Sequence, residues 1–182
     1  MHRDPLLSLI DRYSKKFPRE HQTISKYRTF IESNPQCFER SLEEGHITCA
    51  AWILDRTKKR VLLTHHRKLN RWLQLGGHAD GDPDVHRVAA REACEESGIN
   101  SLKLVSREIM DLDIHKIPER GNVPEHLHYD ARFLFRATKD EEYQISEESH
   151  DLAWVHMENI QEFTSEESIL RMVHKTKEFI CI

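Results

Sequence analysis

No stretch of this 182-residue chain approaches the ~20 consecutive apolar residues that a membrane span requires. The first residues, Met1-His2-Arg3-Asp4-Pro5, lack the basic-then-apolar layout of a secretory signal peptide. Only four cysteines occur, Cys37, Cys49, Cys94 and Cys181, and no two form a C-x-x-C pair. That usage argues against a disulfide framework or a thiolate zinc site and fits free thiols in a reducing, cytoplasmic setting. Cations are not in excess either. The net charge is −4, so the basic footprint of a dedicated nucleic-acid binder is missing. Repeats, low-complexity tracts and obvious linkers are also lacking. What remains is a polar globular chain, 38% apolar and 32% charged, long enough to fold as one domain around a substantial core.

The apolar pattern divides the chain. Residues 1–45 read as helical, with Leu6, Leu7, Leu9, Ile10 and Tyr13 on one apolar face and Ile24, Tyr27, Phe30 and Ile31 on another. Pro18 and Pro35 break this region into pieces. Strand patterns then dominate at Ile47–Leu54, Val61–Thr64, Trp72–Leu75, Leu102–Val105, Met110–His115 and Leu152–Val155. In His128–Arg136, Tyr129, Ala131, Phe133 and Phe135 alternate with His128, Asp130, Arg132 and Leu134. Thr164-Ser165-Glu166-Glu167 has capping-box form and should open a closing helix to about Phe179.

The most informative segment runs from Gly76-Gly77-His78 to Ser97-Gly98-Ile99. Asp82 suits an N-cap, Pro83 the first helical position, and Gly98 the C′ position, so a helix is predicted from about Pro83 to Ser97. Val85, Val88, Ala89, Glu92 and Glu96 share one stripe, with Glu95 at its edge. Carboxylates in line with a core face are costly unless something positive sits among them. Oxygen-only ligands suit Mg²⁺ or Mn²⁺.

Gly77, Arg91, Glu92, Glu95, Glu96, Gly98 and Ile99 match the signature G-x5-E-x7-R-E-U-x-E-E-x-G-U, where U is a bulky apolar residue. The chain therefore resembles the Nudix (MutT-like) hydrolases. Two positions depart: Pro83 replaces the first signature Glu, and Ala93 a larger aliphatic residue. Asp80, Asp82 or Asp84 are nearby substitutes for that Glu. The resemblance implies an α/β/α sandwich around a mixed β-sheet over residues 46–163. It leaves 1–45 as a helical N-terminal extension and 164–182 as a C-terminal helix packing on the domain. The extension has three open roles: a cap over the cleft, a homodimer contact, or plain packing on the sheet.

The resemblance also implies a metal-dependent hydrolase that cleaves a pyrophosphate bond in a nucleoside-diphosphate-linked substrate, giving a nucleoside monophosphate and phosphoryl-X. On this reading Glu92 and Glu96 are the main ligands of Mg²⁺ or Mn²⁺, with Glu95 a third and the Gly77 carbonyl completing the set. Arg91, four residues before Glu95, orients a carboxylate. The general base is Glu148 in the acidic loop before the closing strand, with Glu147 next; in some Nudix families a signature Glu serves, here Glu92 or Glu95. His78 should lie near the phosphates. Arg67, Lys68 and Arg71 are placed to draw in an anionic diphosphate. Tyr129, Trp52 and Trp72 are candidates to stack on a base.

The 13 histidines raise a rival. His126 and His128 lie on one face of a strand at a spacing that can ligate a transition metal. Isopentenyl-diphosphate isomerases share the Nudix fold and use such ligands, although this chain has no cysteine between Trp72 and His78, where those enzymes carry one. Pro83 motivates a further alternative, a non-catalytic nucleotide-binding Nudix module.

Overall fold

The computed structural model describes residues 2–180; Cys181 lies outside them. Helices α1 (Asp4–Lys16) and α2 (His21–Ser33) form the N-terminal extension, with a short 3₁₀ turn at Pro18–Glu20 between them. They bury Leu6, Leu9, Ile10 and Tyr13 on α1 and Ile24, Tyr27, Phe30 and Ile31 on α2, while Leu7, expected on the α1 face, is only partly buried at its edge.

The strands are β1 (Gly45–Leu54), β2 (Arg60–His66), β3 (Arg71–Leu73), β4 (Leu75–His78), β5 (Leu102–Leu104), β6 (Asp111–Ile117), β7 (His126–Ala137) and β8 (Ser149–His156). They form one mixed sheet around a parallel β1–β7 pair, which runs in register from Gly45–Leu127 to Leu54–Arg136. The other edge of β1 is shared, with β2 pairing near Ile53 and β4 along Thr48–Ala51. β5 and β6 divide the free edge of β7 in the same way. Every residue of β1 is buried, as a strand covered on both faces must be.

Helix α3 (Val85–Ser97) lies on one face and buries Val85, Val88, Ala89 and Ala93. Helix α4 (Glu167–Ile180) lies on the other, anchored where the fully buried Trp52 donates from Nε1 to Thr176 Oγ1 at 2.9 Å. Together these layers make an α/β sandwich.

Three boundaries differ from expectation. The signature helix begins at Val85, because Asp84 is the N-cap, its side chain accepting from the Arg87 amide. Asp82 is occupied by the Arg87 guanidinium and the Asp84 amide. Trp72–Leu75 splits between β3 and β4, which pair with different strands. Thr164 Oγ1 accepts from Glu166, too early to cap α4, which starts one residue later. The intervening chain makes an additional 3₁₀ helix, Met157–Glu162.

An ionic network ties α4 to the β6–β7 edge. The Arg132 side chain, 3% exposed, contacts Asp130, Asp111 and Asp113 at 2.7, 3.2 and 3.2 Å. Arg171 and Lys175 of α4 each reach Asp111 at 2.7 Å, and Lys175 also reaches Glu20 at 2.6 Å. Buried charges persist only where partners of this kind surround them.

Candidate active site

The end of α3 meets the β4 strand at two glycines. The Gly76 amide donates to Glu96 Oε1 at 2.7 Å. A Cβ on Gly77 would overlap the Glu92 carboxylate, and one on Gly76 would fall 2.6 Å from Ala50. Backbone and carboxylates therefore approach as closely as they do because the side chains are missing. Arg91 donates to Glu92 Oε1 at 2.7 Å and to the His78 carbonyl at 2.9 Å, with Glu95 4.0 Å away. It is a brace between helix and strand.

The carboxylates repel one another. Burial raises the pKa of Glu92; Arg91 opposes this, while Glu95 and Glu148 add to it. Burial pushes Glu96 up to about 8, against the pull of the Gly76 amide and with Glu92, Glu148 and Glu95 reinforcing it. A divalent cation placed among such carboxylates would offset that repulsion. The cluster's donors are all oxygen, and it includes no thiolate or imidazole, so Mg²⁺ and Mn²⁺ fit it.

Glu148 sits in the turn preceding β8, exposed, and is the loop carboxylate whose charge reaches both Glu92 and Glu96. Arg67 holds that turn, its amide donating to the Glu148 carbonyl at 2.8 Å and its guanidinium to the Ser149 carbonyl at 3.0 Å.

Several expected substrate contacts lie elsewhere. Tyr129 is a core residue, stacked on Phe30 at 3.8 Å between ring centroids and edge-on to Tyr27, so its faces are taken. Trp52 is fully buried and Trp72 stacks on His65. Arg71, largely exposed, pairs with Glu166 at 2.8 Å, and the Arg67 guanidinium serves the Glu148 turn. His78 reaches the carboxylate side through its carbonyl alone, because its ring belongs to the opposite face. There burial, then the charges of Arg40 and His46, bring its pKa down to about 4. A cavity of 670 Å³ between α2 and β6 is lined by Phe30, Asp113, Tyr129 and Arg171, and by none of the four carboxylates.

Some residues escaped the sequence reading. His46, Gln74 and Asp130 lie near this strand end. Asp130 accepts from Thr48 at 2.9 Å and from Gln74 at 3.4 Å, while Gln74 Oε1 and both His46 ring nitrogens are buried without partners. The spacing of His46 carried no motif. Only its pairing with His128 across β1–β7 identifies it.

Comparisons with known proteins fit this geometry. Among solved structures, a C. elegans Ap4A hydrolase binary complex superposes with a TM-score of 0.60 at 18% identity, covering 74% of this chain and 97% of that one. A NUDIX-family hydrolase from Clostridium perfringens gives 0.56 at 25% identity, over 73% and 97%. The E. coli dihydroneopterin triphosphate pyrophosphohydrolase gives 0.56 at 16%, over 74% and 94%. No curated protein matches in sequence. Among the described residues no helix is long and apolar enough to cross a membrane. The NUDIX domain pattern matches residues 45–175, the span holding the glycine turn, the carboxylate helix and the Glu148 turn, and the chain therefore belongs to the NUDIX family as a hydrolase acting on acid anhydrides.

Proposed function

We propose that the protein hydrolyses a pyrophosphate bond in a nucleoside-diphosphate-linked substrate, using Mg²⁺ or Mn²⁺. The observation carrying this reading is the approach of Glu92 and Glu96 to the Gly76–Gly77 backbone, within reach of the charges of Glu95 and Glu148. Glu92 and Glu96 are the main metal ligands, with Glu95 and the Gly77 carbonyl beside them. The bound ion supplies charge neutralisation on the phosphates and a lower pKa for attacking water.

The chain's own residues do the rest. Arg91 fixes the Glu92 carboxylate and holds α3 against β4. Glu148 accepts the proton of the water whose oxygen bonds to phosphorus, while the bridging P–O bond breaks towards the leaving phosphate. Pro83, in place of the first signature Glu, leaves Asp82 and Asp84 at the helix start, both engaged by Arg87.

The test is a panel of dinucleoside polyphosphates, nucleoside triphosphates and ADP-ribose, assayed for phosphate or nucleotide release with each metal. Glu96→Gln should lower kcat/KM by ~3–4 kcal/mol, more than a hundredfold, with circular dichroism unchanged. Wild-type turnover in that variant overturns the ligand assignment. Ligand-induced thermal stabilisation with no product in either metal would favour a binding module.

A further inference from the structure

Five imidazoles gather on the face of the sheet turned away from α3. His78 follows Gly77 in β4, so its ring points to the side opposite Glu92. The register pairs Thr48 with His78, His46 with His128, and His128 with His115. Cross-strand partners share a face, so adjacent strands β4, β1, β7 and β6 each present at least one histidine there.

Three of the rings close into a triangle. The centroids of His46, His78 and His128 are 5.0, 4.9 and 5.0 Å apart, taken pairwise. One nitrogen from each lies within 4.8 Å of the other two. His46 is 2% exposed, and neither its Nδ1 nor its Nε2 has a hydrogen-bond partner. A buried imidazole left so carries a desolvation cost, which the nearby Leu42 backbone offsets only in part. Packing alone does not explain the arrangement, since an apolar side chain at position 46 would fill the space without that cost. Nor is this a hydrogen-bonded histidine chain at its centre: a ring–ring bond joins His126 Nε2 to His128 Nε2 at 3.3 Å, on the rim.

A Lewis acid would supply the missing partner. Among the described residues no carboxylate or thiolate joins the three nitrogens. A nitrogen-only set selects a borderline transition-metal ion and is a poor host for Mg²⁺. We propose that His46, His78 and His128 hold a transition-metal ion of the Zn²⁺ class, at a site distinct from the α3 carboxylates. Zn–N bonds of about 2.0–2.1 Å draw the three rings inward. Three protein ligands leave a coordination position open to water or a substrate oxygen. Because His78 adjoins Gly77, the ion fastens β4 to β1 and β7 at the strand end that faces Glu92.

The decisive experiment uses the full chain, free of any histidine tag and stripped with chelator. Titration with Co²⁺ and Zn²⁺ in the absence of Mg²⁺ should show one tightly held ion per chain. The Co²⁺ adduct should display visible ligand-field bands of low-symmetry nitrogen coordination and no thiolate charge-transfer band, which excludes the cysteines. His46→Asn and His128→Gln should each lose that ion, whereas Glu92→Gln should keep it. If a histidine variant fails to fold, the wild-type cobalt spectrum alone decides. The proposal is overturned if stripped wild-type protein takes up no such ion, if the histidine variants bind it equally, if it departs with Glu92→Gln, or if a thiolate band appears.

Discussion

The Gly76 amide and the Glu96 carboxylate meet at 2.7 Å across the gap between β4 and the end of α3. This one bond sets where the acidic turn of the helix faces the double-glycine strand. It also leaves the other Glu96 oxygen available. Residues on either side of it give the clearest tests.

Gly77→Ala should abolish turnover without unfolding the chain. The added methyl overlaps the Glu92 carboxylate, and that side chain must swing out of its place beside Arg91. Overpacking of this kind costs ~1–3 kcal/mol of stability. Metal-dependent kcat/KM should fall more than about a hundredfold. Steady-state kinetics with paired thermal melts checks both.

Glu148→Gln and Glu147→Gln separate the general base from a solvated loop charge. Glu148 interacts with Glu92 and Glu96. Its loss should lower kcat by about 10²–10⁴ with little change in KM, and flatten the acid limb of the pH–rate profile. Glu147→Gln should stay within a few-fold of wild type. Equal effects of the two changes would remove Glu148 from the reaction.

Asp113 links stability to pH. Burial acts to raise its pKa, but hydrogen bonds from His115 and Arg171 and the charge of Arg132 outweigh burial and hold it well below the carboxylate range. With a folded pKa below the unfolded value of ~3.9, the unfolded chain binds more protons in the interval between the two. Stability from this group is therefore complete above about pH 5 and is lost as pH falls through the folded value. Urea unfolding from pH 6 down to pH 3 should show that loss. Asp113→Asn should be destabilised by on the order of 3 kcal/mol at pH 7 and show a shallower decline below pH 4.

Phe30→Ala tests how the N-terminal extension is held. Phe30 is 4% exposed and lies flat on Tyr129. Truncation should cost ~3–5 kcal/mol, a fall in Tm of roughly 10 °C for a chain of this size. Unchanged thermal melts would mean that α2 contributes little to the core.

The N-terminal helices were legible because Leu6, Leu9, Ile10 and Tyr13, and then Ile24, Tyr27, Phe30 and Ile31, repeat at helical spacing. The signature helix was legible for the same reason, apart from its cap. Asp82 and Asp84 both look like N-caps in one dimension. Arg87 decides between them, taking Asp82 into an ion pair and giving its amide to Asp84. Tyr129 was misread because a strand pattern records which face a ring takes but not what already covers that face.

By itself the sequence determined the helix that carries Arg91, Glu92, Glu95 and Glu96, and the double glycine that lets them approach backbone. Those are local properties, set by spacing along one element and by the missing Cβ atoms. Tertiary structure alone decided that Arg132 sits among three aspartates, and that His46, His78 and His128 meet. Each of these depends on strand order and register, through which residues up to about eighty positions apart become neighbours, and no local pattern encodes that pairing.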